Sequence, residues 1–174
     1  VRSSFIYQNI MYLVAGQIIE KISGMSWEKF TNERLFAPLG MKNTFPNLAL
    51  SQKYQNRSVA HYEIKGKIQT IPESAADQIA AAGAVWSTAD DIAKWVTFLL
   101  ENKAVNGKDL LKPATMNELF KPQTIVPPGQ FYPTATITKP KWMTYGLGWF
   151  QHDYRGEMIN YHTGSLAGRT AIVG

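Results

Sequence analysis

The chain has 174 residues and a formal net charge of +5, and its composition is 45% hydrophobic and 18% charged. This length and this apolar content predict one ordinary folded core and exclude a disordered chain. The 18 Lys and Arg residues form no cluster, which argues against nucleic-acid binding, and the lack of cysteine excludes disulfides and thiolate metal sites.

Two features of the sequence concern membranes and export. No apolar run reaches the about 20 residues that span a bilayer, and no signal-peptide pattern opens the chain. Since residue 1 is Val, we expect the sequence to be a segment of a longer protein.

The first element predicted in chain order is an amphipathic helix over residues 9–23. Its apolar positions recur with helical period, Asn9 is a plausible N-cap, and Gly24 is a plausible left-handed stop. Gly16, in the interior, indicates a close helix contact. A second helix is predicted from Trp27 to about Leu35, with Ser26 as its cap.

A hairpin and two further helices follow. The hairpin has strands at 60–64 and 67–71 around Lys65-Gly66. Residues 87–91, Ser-Thr-Ala-Asp-Asp, resemble a capping box in which Asp stands where Glu or Gln is usual, and they predict a helix that ends near Glu101. Another helix is predicted from Pro113 to Phe120.

The last third of the chain predicts a loop and strands. Residues 121–141 hold five prolines and no sustained period, and so predict a long irregular loop. Strands are predicted at 145–150, 158–162 and 169–173, with turns at 153–156 and 164–168. The fold class is therefore α+β. Residues 8–120 form a mainly helical subdomain, and residues 142–174 form antiparallel strands.

Two triplets at opposite ends of the chain are candidates for chemistry. Tyr7-Gln8-Asn9 and His162-Thr163-Gly164 are each weak motifs, which also fit a packed tyrosine with a helix cap and a strand end with a turn. His61 and His152 lack partners at metal-ligand spacing, and we expect them at surface or hairpin positions. No cofactor or metal site is predicted.

The ordered set of motifs, however, resembles the serine β-lactamase and penicillin-binding-protein-like hydrolases, in their class C-related branch. The motifs that carry the resemblance, in order along the chain, are Phe5 to Asn9, Glu20 to Gly24, Pro38 to Met41 with Thr44, Ala82-Gly83, Ser87 to Asp91, Tyr145 to Trp149, and His162 to Gly164. They span nearly the whole sequence. The resemblance implies an α+β transpeptidase-like domain over residues 1–174 that is incomplete at both ends.

The resemblance also implies roles for single residues. Tyr7 matches the tyrosine that assists proton transfer to and from the nucleophilic serine, and Asn9 matches the amide that orients substrate. His162 stands where class C β-lactamases have lysine. Because histidine is largely neutral near pH 7, it would hold a substrate carboxylate less firmly than lysine does. This favours an esterase or D-amino-acid peptidase over a dedicated β-lactamase.

Three more residues of the site are implied at the end of the second motif. Thr163 and Gly164 would bind substrate, and Gly164 leaves room because it has no Cβ. Ser165 matches the position whose backbone N–H forms half of the oxyanion hole.

The nucleophile itself is expected outside this segment, because the family acylates a serine in Ser-x-x-Lys that precedes Tyr-x-Asn. The one Ser-x-x-Lys present, Ser26 to Lys29, follows Tyr7, and Ser26 is better explained as a helix cap. The resemblance implies an extracytoplasmic serine hydrolase that forms an acyl-enzyme with an ester, a D-amino-acid peptide or a β-lactam.

Two alternatives stay open. One is a non-catalytic relative that binds cell-wall peptides or a protein partner through the same cleft, and the other is a purely structural domain. We also expect exposed sheet edges to favour self-association of the isolated chain, and we expect the segment alone to be inactive.

Overall fold

The computed structural model describes residues 4–174 and shows helices together with two antiparallel sheets, which confirms the α+β class. The α-helices are α1 Ile10–Ser23, α2 Trp27–Thr31, α3 Leu48–Ser51, α4 Ala80–Gly83, α5 Ala89–Glu101, α6 Pro113–Leu119 and α7 Ala135–Thr138. A π-helical segment, Asn32–Phe36, continues α2. Among the described helices, none is both long enough and apolar enough to cross a bilayer.

The strands form a hairpin and a larger sheet. They are β1 His61–Ile64, β2 Lys67–Thr70, β3 Thr124–Ile125, β4 Met143–Tyr145, β5 Phe150–Tyr154, β6 Glu157–Leu166 and β7 Arg169–Val173. Strands β1 and β2 pair with each other, and the other five form one sheet in the order β3-β4-β5-β6-β7. Sequence order equals spatial order, so each strand of the larger sheet neighbours the next one along the chain.

The chain divides into two compact units, which are described separately below. The sheet unit comprises the chain up to Tyr7, Leu111–Thr163 and Ile172–Gly174. The helical unit comprises Gln8–Leu110 and Gly164–Ala171. The boundaries fall within β6 and β7, and α6 belongs to the sheet unit.

Helix α1 has the predicted end and the predicted close contact. Gly24 adopts φ +69° and donates its N–H to the carbonyl of Glu20. A Cβ added to Gly16 would lie only 2.6 Å from Cβ of Ala81, so a glycine is needed where α1 meets α4. Asn9 stands at the predicted N-cap position directly before α1, but its backbone angles are helical and its side chain makes no capping hydrogen bond.

The apolar stripe of α1 is largely uncovered. Ile10, Ile18 and Ile22, which the helical period predicts to face a core, are exposed in the described structure, Ile22 to 82%. Periodicity identifies an apolar face, but what covers that face depends on packing that the sequence of one helix does not contain.

The predicted cap of α2 forms, whereas only part of the predicted cap of α5 does. Ser26 accepts the N–H of Lys29 at 3.2 Å, and the helix continues to Phe36 as predicted, but in π geometry after Thr31. At α5, Thr88 accepts the N–H of Asp91 at 3.3 Å. A capping box has a second hydrogen bond, from the cap residue's backbone N–H to the acidic side chain. That part of the prediction is wrong, because the carboxylate of Asp91 accepts from Asn43, Thr44 and Lys94 instead.

Asp91, on α5, is fully buried, and its carboxylate forms hydrogen bonds with the loop that precedes α3. Its Oδ2 accepts the N–H of Asn43 at 2.7 Å and the hydroxyl of Thr44 at 2.9 Å, and its Oδ1 accepts from Lys94 at 2.6 Å. These bonds lower the pKa of Asp91 against the opposing effect of burial. A carboxylate with this many donors is satisfied in the interior.

The small hairpin forms as predicted, with His61 paired to Thr70 and Ile64 to Lys67. Lys65 and Gly66, with φ +51° and +75°, form its turn. Both central residues with positive φ are typical of the tight turns that match the twist of paired strands.

In the larger sheet, two strands and one turn have bounds that differ from the predicted ones. Residues 145–150 are not a strand, because the N–H of Gly146 donates to the carbonyl of Trp149 and Gly148 has φ +83°, which makes a turn between β4 and β5. The proline-containing loop is not wholly irregular, since it contributes β3 to the edge of the sheet. Strand β6 runs on to Leu166, so Gly164 and Ser165 lie in a strand and not in a turn.

The core of the sheet unit is mainly aromatic. Phe5, Val126, Met143, Phe150 and Tyr161 form one buried cluster. The register places Phe150 opposite Tyr161 and opposite Tyr145, so strands β4, β5 and β6 each contribute a ring to one neighbourhood. This packing fixes the start of β5 and the middle of β6, next to His162.

Candidate active site

The two predicted motifs come together at His162 on β6. The hydroxyl oxygen of Tyr7 lies 3.4 Å from Nε2 of His162, and the hydroxyl oxygen of Tyr145 lies 3.5 Å from the same nitrogen. All three residues belong to the sheet unit. Tyr7 is 45% exposed, so one side of its ring faces solvent while its hydroxyl faces the imidazole.

The backbone of β6 sets the tautomer of His162. Nδ1 lies 2.6 Å from the carbonyl oxygen of Thr163, and a carbonyl can only accept a hydrogen bond. Nδ1 therefore carries a proton, and in the neutral ring Nε2 holds the lone pair. Since this nitrogen has a single lone pair, it accepts a hydrogen bond from the hydroxyl of Tyr7 or from that of Tyr145, one at a time.

Burial lowers the pKa of His162, while the hydrogen bond to the Thr163 carbonyl raises it. The net shift is downward from the ordinary value of 6.5, so the imidazole is neutral at neutral pH. The expectation that this position lacks the permanent positive charge of a lysine thus agrees with the direction of the shift.

Aromatic rings pack against Tyr7 and His162 and hold these two side chains in place. The ring of Phe150, 6% exposed, stacks on Tyr7 at 6.0 Å between centroids and lies 5.7 Å from His162. Tyr145 packs edge-on against both Tyr7 and Phe150. Because these rings have few alternative rotamers in a packed cluster, the phenol of Tyr7 has a defined direction.

The long loop supplies a residue that the sequence did not single out. The hydroxyl of Tyr132 makes a short hydrogen bond with the hydroxyl of Thr163, next to His162. Tyr132 also packs against Phe150 and Tyr161. The aromatic content of a loop that lacks periodicity is the one signal that could have indicated Tyr132; Tyr145 stood in a quoted motif but had no role assigned to it.

The other predicted site residues lie in the helical unit. Asn9 precedes α1, and its carbonyl accepts the N–H of Leu13 at 3.1 Å. Gly164 and Ser165 are exposed on β6. A Cβ built at Gly164 would meet no atom within 4 Å in the described part of the chain, so space is open above this glycine.

Histidines outside the site have different environments. His61 is exposed on β1 of the small hairpin, as predicted. His152 lies on β5, which pairs with β6 as a hairpin, but it is only 5% exposed, so a surface position is wrong for it. Neither ring nitrogen of His152 has a hydrogen-bond partner among residues 4–174. Over the same residues no group of three or more His, Cys, Asp or Glu side chains could hold a metal ion.

Solved structures establish the class of fold. The octameric penicillin-binding protein homologue from Pyrococcus abyssi superimposes with a TM-score of 0.79 at 22% identity, over 98% of this chain and 35% of that one. The D-amino acid amidase from Ochrobactrum anthropi SV3 complexed with L-phenylalanine gives a TM-score of 0.71 at 24% identity, over 97% of this chain and 44% of that one. The chain thus has the penicillin-binding-protein-like fold.

The sequence comparison identifies the family. The model of the Beta-lactamase family matches residues 1–174, and the chain belongs to that family. Unguisins hydrolase ungD' from Aspergillus campestris is 29% identical over 176 residues, which cover 96% of this chain and 30% of that protein. The chain therefore spans about a third of the length of this relative.

Proposed function

We propose that the intact protein is a serine hydrolase that forms a covalent acyl-enzyme, with its nucleophilic serine outside residues 1–174. The observation that carries the proposal is the geometry at His162, where Nδ1 donates to a backbone carbonyl and Nε2 faces the hydroxyl of Tyr7 at 3.4 Å. A phenol held against a neutral imidazole can pass a proton in either direction.

In the proposed acylation step the serine oxygen attacks the carbonyl carbon of the substrate. The serine proton moves to the oxygen of Tyr7 as the Tyr7 proton moves to Nε2 of His162, which becomes an imidazolium. The Thr163 carbonyl, 2.6 Å from Nδ1, stabilises that cation. When the tetrahedral intermediate collapses, the proton returns through Tyr7 to the leaving group, and the imidazole is neutral again.

Further residues would bind the substrate and its oxyanion in the roles that the family resemblance implies. The hydroxyl of Thr163 is oriented by Tyr132, and the open space above Gly164 would admit a substrate that lies along β6. The backbone N–H of Ser165 would donate to the oxyanion, and Asn9 would orient the substrate amide. Loss of one oxyanion donor typically raises the barrier by about 2.7–4 kcal/mol.

The substrate class we favour is an ester or a D-amino-acid peptide. A neutral His162 offers no full positive charge to the carboxylate that a β-lactam carries. The names of two similar proteins, an unguisins hydrolase and a D-amino acid amidase, support a hydrolase, and the second name supports cleavage of an amide of a D-amino acid.

A second candidate is a non-catalytic relative that binds cell-wall peptides or a protein partner. The observation that favours it is the structural role of Ser26. This serine, in the one Ser-x-x-Lys of the chain, accepts the N–H of Lys29 as a helix cap and is explained without catalysis.

Activity-based labelling distinguishes the two candidates. The protein expressed with its flanking coding sequence should react with a fluorophosphonate at a serine outside residues 1–174, and mass spectrometry of the labelled peptide locates that serine. Labelling at Ser26 would contradict the proposed position of the nucleophile. A folded protein that does not label at all, yet binds a D-amino-acid peptide by calorimetry, would favour the binding relative.

A further inference from the structure

A concave surface lies in the helical unit and is separate from the residues of the proposed mechanism. It is an open groove of about 810 Å³ between the α2 region and the loop around α3, and we call it the α2 groove. Its size lies in the range of ligand sites, roughly 300–1,000 Å³. The Ser-x-x-Lys sequence that the proposed function leaves unused contributes Ser26 and Lys29 to its wall.

The floor of the α2 groove is apolar. Phe36, Met41 and Pro46 are buried beneath it, and Leu50 is 37% exposed at its side. A floor of this kind binds an apolar group that would otherwise remain in water.

The backbone of one wall has the rare π geometry. The N–H of Ala37 donates to the carbonyl of Asn32, five residues earlier, which is the spacing of a π turn. The wall then ends in a left-handed cap, in which Gly40 has φ +66° and the N–H of Met41 donates to the carbonyl of Phe36. A π turn is wider than an α turn and occurs frequently at functional sites. Here it carries both Asn32 and Phe36 to the groove.

The rim of the α2 groove is positively charged. Lys29, Lys42 and Lys53 line it against a single acidic residue, Glu28. Lys29 already forms an ion pair with Glu33, with 3.9 Å between its Nζ and Oε1 of the glutamate. Within residues 4–174 the ammonium groups of Lys42 and Lys53 have neither a hydrogen-bond partner nor an ion-pair partner. An anion at the rim would complete these contacts.

From this combination we propose that the α2 groove binds a medium-chain aliphatic carboxylate, with its chain on the apolar floor and its carboxylate beside Lys42 and Lys53. The apolar floor selects an alkyl chain, and the two lysines select a negative head group over a neutral one. This ligand site is independent of the proposed acyl-enzyme chemistry.

The test is a titration of the 174-residue chain with decanoate, followed by calorimetry and by amide shifts in NMR spectra. We expect saturable binding, with the largest shifts at Phe36, Leu50 and Lys53. Octanoate, two methylenes shorter, should bind roughly tenfold more weakly. 1-Decanol, which has the chain but no charge, should bind several-fold more weakly than decanoate.

Charge variants locate the head group. The double variant K42Q/K53Q should weaken decanoate binding about fivefold and leave 1-decanol binding unchanged. The matched control K65Q/K67Q makes the same change in charge on the exposed hairpin and should not alter either affinity. Equal binding of decanoate and 1-decanol, equal loss in both double variants, or no saturable binding would each overturn the proposal. Binding of an acidic peptide without binding of decanoate would overturn it too, and would indicate a protein partner.

Discussion

The hydroxyl oxygen of Tyr7 lies 3.4 Å from Nε2 of His162, although 155 positions separate the two residues in the sequence. The contact unites the two motifs that the sequence presents at opposite ends of the chain. Since Nδ1 of His162 donates to the Thr163 carbonyl, Nε2 is free to accept the phenol proton. Proton transfer between the two side chains is the basis of the first two predictions.

Replacement of Tyr7 by phenylalanine removes the hydroxyl and keeps the ring that stacks on Phe150. In the protein that carries its nucleophile, we expect kcat/KM for an ester to fall about 10²- to 10⁴-fold, because a general acid–base group is lost. Steady-state kinetics measure the effect, and thermal unfolding should show little change. Tyr62→Phe, on an exposed strand of the hairpin, is the matched control. Full activity in Y7F would rule out the proposed proton path.

The pH dependence of kcat/KM should report the protonation of His162. Burial lowers its pKa below 6.5, so the neutral, proton-accepting form persists to a lower pH than in an exposed histidine. We expect activity to fall on acidification with an inflection below 6.5, and we expect His162→Gln to abolish that inflection. An unchanged acid limb in this variant would assign the titration to another group.

The fold and the two motifs could be predicted because they depend on local signals. Helix caps such as Ser26, the Lys65-Gly66 turn and the periodicity of α5 are each encoded within a few adjacent residues. Tyr7 and His162 followed from the ordered likeness to a family, which supplies the long-range pairing that one sequence lacks.

The features that could not be predicted depend on contacts between residues that are far apart in the sequence. Tyr132 and Tyr145 reach the site through pairing of β3, β4 and β5, and no short-range pattern specifies that register. Residues 145–150 were predicted as a strand, but Gly148 with positive φ turns the chain there. Asp91 has the spacing of a capping residue, but its carboxylate accepts hydrogen bonds from Asn43 and Thr44, which lie more than 40 residues earlier in the chain.

His152 should make the stability of the fold sensitive to acid. Its ring is buried and both nitrogens lack hydrogen-bond partners in the described chain, and burial lowers its pKa against the opposing charge of Asp153. The unfolded state then binds a proton more readily below 6.5, so acidification through that value destabilises the folded state. The free energy of unfolding should fall by up to about 1.4 kcal/mol per pH unit there.

Chemical denaturation from neutral pH to about pH 5 measures this slope. The variant His152→Leu should show a shallower slope, with a remainder from His162, whose pKa is also lowered. His61→Leu, at an exposed histidine, should keep the wild-type slope. An unchanged slope in the His152 variant would show that this ring is not the source.

Arg169 joins β7 to the hairpin region within the helical unit. Its guanidinium donates to both carboxylate oxygens of Glu73 at 2.6 and 2.8 Å and to the carbonyl of Ser58 at 2.6 Å, and it lies 4.7 Å from the ring centroid of Trp86. Arg169→Met keeps much of the stem but removes the charged donors. We expect it to lower the free energy of unfolding by roughly 1.5–3 kcal/mol.

The hydrogen bond from Arg169 also lowers the pKa of Glu73. Stability from this pair is therefore present above the ordinary value of 4.5 and is lost as the pH falls through the lowered value. Denaturation at neutral and acidic pH should show the difference between wild type and Arg169→Met shrink in acid. Arg155→Met, which removes an arginine from the β5–β6 turn, should cost little at either pH.

The contact between α1 and α4 predicts that Gly16→Ala destabilises the protein, although alanine has a higher helix propensity than glycine. Gly16→Ala should stabilise an isolated helix by about 1 kcal/mol. In this protein the new Cβ would lie 2.6 Å from Cβ of Ala81 and 3.5 Å from Cδ1 of Trp27, and overpacking of this kind costs about 1–3 kcal/mol. We expect the clash to dominate and the variant to lower the free energy of unfolding.

A double-mutant cycle separates the two effects. Ala81→Gly alone should destabilise α4, but combined with Gly16→Ala it removes the clashing atom, so the double variant should be more stable than Gly16→Ala alone. Gly83→Ala is the control, because a Cβ there meets nothing within 4 Å of the described chain and should be tolerated. Additive losses in the cycle, measured by urea denaturation, would mean that the two helices do not meet at these residues.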